Sequence, residues 1–334
     1  MLALTADPGL ALAERDVPKP GPGEALIRLR MAGICNTDLE IVRGYMGFRG
    51  VLGHEALGDV VECDDASWIG KRVVCEINLS CGSCATCAEG LGRHCPTRTV
   101  LGILGKDGCF AEYMTAPVRN LIEVPAEVED ERAVLTEPLA AAFEILEQVE
   151  VKGGHRVAVL GDGKLGLLST LVLLGTSAEV HLVGKHPSKM AIAGARGAHL
   201  HRHDEEIPGK FDVVVEATGS PEGLARAIAL TRPRGTVVLK STFHGATPVV
   251  MAPLVIDELT LVGSRCGLFP PALTAHASRR IDVSPLISAR YSLRDGLAAF
   301  TEASRSGVLK VLLDMRGHDP RVSTVARTRA LSHS

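Results

Sequence analysis

Four of the chain's nine cysteines fall in one short stretch, as Cys81-x2-Cys84-x2-Cys87-x7-Cys95. Close-spaced thiolates on a turn can converge on one tetrahedral ion, with sulfur about 2.3 Å from zinc. Gly82, Gly90 and Gly92 supply the backbone freedom such a knuckle needs. Four thiolates close the coordination sphere, so a metal held there stabilises a lobe and does no chemistry. Free thiols in a loop, or an iron–sulfur cluster on the same four ligands, are the alternatives. Chemistry needs a second, open site. The stretches AGICNTDLE, VLGHEALGDV and LTEPLAAAF contain Cys35, His54 and Glu137. These offer sulfur, nitrogen and oxygen with a fourth position open, the pattern of a catalytic zinc. They lie far apart in the chain, and singly each reads as a buried cysteine, a core histidine or a helix-start carboxylate.

A third group of residues suits a dinucleotide. Gly161-Asp162-Gly163-Lys164-Leu165-Gly166 follows the strand-like RVAVL and opens an apolar helical run. In that context the glycines let the backbone approach a pyrophosphate at a helix N-terminus. An NAD site usually carries an acid at the end of the next strand, to bind the ribose 2'-hydroxyl. Here that strand, EVHLV, ends in Gly184-Lys185-His186. The missing acid and the cation that follows favour NADP, with Lys185 pairing the 2'-phosphate; NAD is the alternative, with Lys185 a solvated loop residue. EATGS, with Thr218 and Gly219, and KST, Lys240 to Thr242, end later strands, where a cofactor crevice lies in a parallel sheet.

The elements that must position these residues differ along the chain. Residues 1–137 read as β-rich, with GEALIRLRMAGI alternating and LGDVVEC and GKRVVCEI as short β-branched runs. Residues 153–266 alternate apolar strands (RVAVL, EVHLVG, FDVVVEATG, GTVVLKS) with helical runs (PSKMAIAGARG, PEGLARAIALTR). That pattern indicates a parallel sheet covered on both faces, and so an α/β fold. Mixed segments follow through about residue 315, and the tail at 317–334 lacks periodicity and is expected to be flexible. HLHRH, from His199 to His203, could suggest a third metal site, but beside Arg202 and Asp204 it is expected to be a solvated loop. Cys63, Cys75, Cys109 and Cys266 stand singly, as buried structural cysteines do.

Composition excludes several classes. The formal charge is -3, with no basic, aromatic-laced face, which argues against nucleic acid or an anionic membrane. No run of eighteen apolar residues exists to span a bilayer, and the first residues lack the basic start of a secretory signal. A cytoplasmic protein is expected. In a reducing compartment a dense cysteine cluster holds metal rather than disulfides.

Together these motifs resemble the zinc-dependent medium-chain dehydrogenase/reductase family, especially its sorbitol-like polyol and threonine dehydrogenase branches. The resemblance covers residues 1–315, in the family's order: GICNTDLE, GHE, the four-cysteine lobe, EPLA, then GxGxxG. It implies a GroES-like catalytic domain at 1–138 with a zinc lobe at 78–98. A Rossmann domain at 139–266 and a return to the catalytic domain at 267–316 would follow. It implies Cys35, His54 and Glu137 on a catalytic zinc, with Glu55 a direct or alternating ligand. Cys81, Cys84, Cys87 and Cys95 would hold a structural zinc, making two per chain. Asp38 would orient His54, and Thr37 would take the proton-relay position. Asn36 departs from the usual glycine, where a left-handed backbone would be tolerated, and Glu40 stands where some members have a relay histidine. Ser264 and Arg265 resemble the segment near the nicotinamide. Tyr45, Met46 and Phe48 would line the pocket or pack beside it. The expected activity is a zinc-dependent oxidoreductase interconverting a secondary alcohol or polyol and its carbonyl with NADP or NAD. An amino alcohol or specialised biosynthetic sugar is the alternative substrate, and a non-catalytic NADP(H)-binding sensor with structural zincs the alternative class. A homodimer or homotetramer is expected.

Overall fold

A computed structural model describes residues 1–7, 9–241 and 247–316. Thr242 and the tail at 317–334 therefore lie outside the described residues. The chain forms two compact units, one from Met1–Glu137 and Val283–Ser334, the other from Pro138–Asp282.

In the first unit the strand Glu24–Ile34 organises a seven-stranded sheet. It pairs antiparallel with Glu55–Cys63, Tyr113–Pro117 and Lys310–Asp314. Only Arg28 and Arg30 interrupt its run of buried residues, and Met31 to Ile34 are all buried. The strand has a neighbour on each side along its length, Glu55–Cys63 on one and Tyr113–Pro117 then Lys310–Asp314 on the other. A central strand buried on both faces loses its polar alternation.

The second unit is a six-stranded, all-parallel sheet. Its strand order is His199–Arg202, Glu179–Gly184, Arg156–Leu160, Phe211–Glu216, Thr231–Leu239 and Thr260–Gly263. The runs at 157–160 and 213–216 are buried throughout, as strands covered on both faces must be. Proline opens the helices Pro187–Gly194 and Pro221–Leu230, where its missing N–H costs nothing. Arg156–Leu160 is followed in sequence by its neighbour on one side and later by its neighbour on the other. The loop after Leu160 thus sits at a topological switch point, where ligands bind in such sheets.

Two expectations need correction. His199–Arg202 is a strand and not a loop. It lies at the sheet edge with Leu200 41% exposed, so it shows no apolar alternation to read. The segment 267–282, expected with the first unit, belongs to the second. Gly267 lies so close to Ala140 that a Cβ there would meet its carbonyl oxygen at 1.9 Å, and Arg196 pairs with Asp282 at 3.2 Å.

Candidate active site and metal centres

The cysteine lobe is built from a turn, the short helix Ala85–Ala88 and a single turn at Gly92–His94. Its sulfurs are spaced at 3.9 Å for Cys81 and Cys87, 3.5 Å for Cys84 and Cys87, 3.8 Å for Cys84 and Cys95, and 3.6 Å for Cys95 and Cys81. Four sulfurs about 2.3 Å from one tetrahedral centre stand about 3.8 Å apart. The donors therefore fit a single zinc. Backbone amides of Ser83 and Cys84 draw the Cys81 thiol down to about 5, which favours the thiolate that a metal needs.

In the first unit Cys35 caps the helix Asn36–Val42. Asn36 is the first helical residue, so this position makes no demand for left-handed backbone. Asp38, fully buried, does two things. One oxygen accepts the Cys35 N–H at 2.8 Å, and the other stands 3.3 Å from His54 Nδ1, an ionic contact longer than a well-formed hydrogen bond. A carboxylate behind Nδ1 leaves Nε2 for a metal. Ligand atoms of Cys35, His54 and Glu55 lie within 4.8 Å of one another. Burial pushes the Cys35 thiol up, but the His54 hydrogen bond and charge bring it below its ordinary value. Burial pushes His54 down, and Asp38 beside it more than reverses this. The pair is thus primed toward a thiolate. Thr37 Oγ1 is 3.8 Å from Cys35 Sγ.

Glu55 is the member of this trio whose surroundings the sequence did not disclose. Both of its carboxylate oxygens accept from Lys310, at 2.5 and 2.6 Å, and Lys310 also donates to the Ile34 carbonyl at 3.2 Å. Both side chains are buried. Gly33 makes the space, since a Cβ there would stand 2.0 Å from Glu55 Oε2. Lys310 was missed because its partner is 255 residues away. The one available signal was a lone cation heading the apolar strand KVLLD. Glu137, half-buried in the first turn of the helix Thr136–Gln148, is not in the close trio, although its charge acts on Lys310. Glu40 is exposed and pairs with Arg43 at 2.6 Å, so it is turned to solvent. Of the pocket candidates, Met46 is 52% exposed while Tyr45 and Phe48 are half-buried.

In the second unit the glycine loop fits a dinucleotide. Gly161 has φ +110°, and a Cβ on it would meet the Ala217 carbonyl at 2.5 Å. At Gly166 a Cβ would stand 2.0 Å from the Gly161 carbonyl, which brings the helix Lys164–Leu173 hard against the turn. Gly163 caps that helix, and a Cβ there would meet nothing. These are the three roles of such a loop: tight turn, open approach for phosphate, close packing. Lys164 and Leu165 are its first helical residues.

Asp162 ties the glycine loop to the next strand. Its carboxylate turns to the next strand's end, accepting the amides of Lys185 at 2.8 Å and His186 at 2.5 Å, with His186 Nδ1 at 3.1 Å. Gly184 admits it, because a Cβ there would stand 2.7 Å from Asp162. Burial raises the Asp162 pKa, but these donors bring it below the ordinary value. Thr218 donates its amide and hydroxyl to Glu216 at 2.7 and 2.5 Å, and the Gly219 amide donates to Ser241 at 2.8 Å. Lys240, expected near the cofactor, is buried and donates to Ala141 O, Ser264 Oγ and Arg265 O. Ser264 and the Arg265 backbone thus hold a structural lysine. Of the single cysteines, Cys75 and Cys109 are buried while Cys63 and Cys266 are half-buried.

Comparison with known proteins gives the same parts in the same order. The profile described as Alcohol dehydrogenase GroES-like domain matches residues 21–126, and that described as Zinc-binding dehydrogenase matches 165–281. An L-threonine 3-dehydrogenase of Streptomyces coelicolor is 31% identical over 336 residues, covering 92% of this chain and 97% of the relative. The alcohol dehydrogenase RspB of Escherichia coli CFT073, solved with NADH, superposes with a TM-score of 0.86 at 27% identity, over 92% of this chain and 96% of that one. A zinc-binding dehydrogenase of Sinorhizobium meliloti 1021, solved with NADP, gives 0.86 at 28% identity, over 94% and 99%. No helix among the described residues is long and apolar enough to cross a membrane.

Proposed function

This chain belongs to the zinc-dependent medium-chain dehydrogenase/reductase superfamily, and we propose that within it the chain oxidises or forms a small, hydroxyl-rich secondary alcohol. The carrying observation is the convergence of Cys35, His54 and Glu55 within 4.8 Å, with Asp38 behind the histidine. When bound, a divalent ion polarises the substrate oxygen and the nicotinamide exchanges hydride. The chain's own residues do the rest. Cys35 and His54 hold the ion, and Asp38 fixes the imidazole tautomer. Glu55 is the carboxylate that the geometry sets beside them, and Glu137, outside that trio, would supply the oxygen ligand only as the family resemblance implies. Thr37, beside Cys35, moves the hydroxyl proton. Glu40 pairs with Arg43 in solvent and is given no part in the relay. The reading is tested by a panel of secondary alcohols and ketones with zinc content in parallel. Wild type should turn over a panel member, and Cys35→Ser should lose that activity and one of two zincs. Tight NADPH binding without turnover, indifferent to Cys35→Ser, would instead fit a sensor.

For the cofactor we infer NADP, because Gly184 replaces the ribose-binding acid and Lys185 follows it. One observation favours NAD as a second reading. Asp162 already takes the Lys185 and His186 amides, donors that a 2'-phosphate would otherwise find. Comparing KM for NADPH and NADH decides between them.

The described surface also supports a homo-oligomer. Val250, Met251, Val255 and Ile256 are 73%, 62%, 71% and 78% exposed, beside the outermost strand Thr260–Gly263. An apolar helix beside an open strand edge suits a second copy of the chain. Val255→Asp with Ile256→Asp should yield monomers by light scattering.

A further inference from the structure

The opposite edge of the parallel sheet carries an imidazole-rich face that the alcohol chemistry does not use. Glu179 and His181 lie two residues apart on one strand, so both project from the same face. Parallel pairing sets His181 against His199 and Val183 against His201. His199 and His201 are again two apart, which brings all four side chains to one face. Ligand atoms of Glu179, His181 and His199 lie within 4.8 Å of one another. The His181 ring stacks at 4.8 Å on His199 and 5.1 Å on His201, and meets Phe211 edge-on at 5.0 Å. His181 is only 4% exposed, whereas Glu179 and His199 reach solvent. The arrangement is a rigid inner ligand with two accessible outer ones.

We propose that Glu179, His181 and His199 form a further site for a divalent transition metal, bound by one carboxylate and two imidazoles, with His201 as a positioning residue. Imidazole with carboxylate suits Zn2+, Ni2+ or Cu2+. His181 Nε2 lies 2.7 Å from Glu179 Oε1, and its Nδ1 lies 2.8 Å from His201 Nε2. Ligands about 2.1 Å from a tetrahedral ion stand about 3.4 Å apart, so the pair needs to open by about 0.7 Å. Nε2 becomes a ligand when Nδ1 carries the proton, and that N–H then donates to His201. A ligating histidine normally donates its other N–H to such an acceptor. Arg156 is the opposing charge, with Nε 3.5 Å from Glu179. It does not depend on that carboxylate: it also donates to the Lys210 and Pro208 carbonyls and lies 4.7 Å over the Phe211 ring.

The test titrates Ni2+ into the full chain after its thiolate sites have been filled with zinc, by calorimetry with elemental analysis. Wild type should take up one further equivalent. His199→Ala and Glu179→Gln should weaken that binding roughly tenfold or more, and His201→Ala should weaken it less. His199 and Glu179 are exposed, so these variants should unfold at the wild-type temperature, which separates ligand loss from misfolding. Absence of a saturable further equivalent in wild type, or uptake unchanged in His199→Ala, would overturn the assignment.

Discussion

Lys310 Nζ reaches both oxygens of Glu55, at 2.5 and 2.6 Å, with neither side chain more than 3% exposed. This ion pair sits against the cysteine and histidine of the proposed catalytic metal site. Glu55 is therefore already neutralised from one side. A carboxylate so held would add less negative charge to an ion bound by Cys35 and His54, and would have to break the Lys310 contacts before it could serve as a ligand itself.

Removing one partner strands the other. Lys310→Met should destabilise the fold by roughly 3–5 kcal/mol, because a buried charge loses its partner. Glu55→Gln should cost a similar amount and lower kcat. The pair Glu55→Gln with Lys310→Met should recover much of the stability lost by either single variant. Denaturant unfolding of the four proteins checks this, and simple additivity would contradict a direct ion pair.

Gly33 tests the same packing without touching either charge. Gly33→Ala sets a methyl 2.0 Å from Glu55 Oε2, so the carboxylate must move. Loss of about 1–3 kcal/mol of stability is expected, together with reduced turnover. Gly23→Ala, where nothing lies within 4 Å of the added carbon, is not a clean control, because its φ is +72°. Gly163→Ala is better, since it adds a methyl into open space without positive φ. It should leave stability near wild type and weaken dinucleotide binding.

Metal removal should separate the two thiolate sites. Cys95 is the fully buried member of the cysteine lobe. Cys95→Ser should halve the zinc content from two to one, lower the melting temperature and leave Cys35-dependent chemistry in the folded fraction. Loss of both metals together would mean that the lobe and the catalytic site do not fold independently.

Asp162 should produce an acid-side effect. Its folded pKa lies below the ordinary 3.8, so its contribution is present above that value and lost as pH falls through the folded one. Asp162→Asn should flatten stability against pH below about pH 4. Asp162→Ala, which leaves no acceptor, would free the two amides beside Lys185, so its KM should fall more for NADPH than for NADH. Lys185→Ala should act in the opposite sense.

Some of this molecule could be read without coordinates. The cysteine lobe was legible because its four ligands are local and their spacing encodes the turn. The glycine loop was legible for the same reason, since each glycine answers a contact within one strand–turn–helix unit. Continuous apolar strands alternating with helical runs identified the parallel sheet, but the edge strand His199–Arg202 went unread because its exposure removes the apolar signal.

What the sequence determined by itself, then, were the local constellations, the α/β class and the order of parts along the chain. Tertiary structure alone decided which distant groups meet. It brought Lys310 to Glu55, turned Asp162 onto the Lys185 and His186 amides, and stacked His181 between His199 and His201. The physical reason is range. Turn and cap chemistry is settled within a few residues, whereas a buried charge or imidazole takes its partner from whichever strand the sheet register sets beside it.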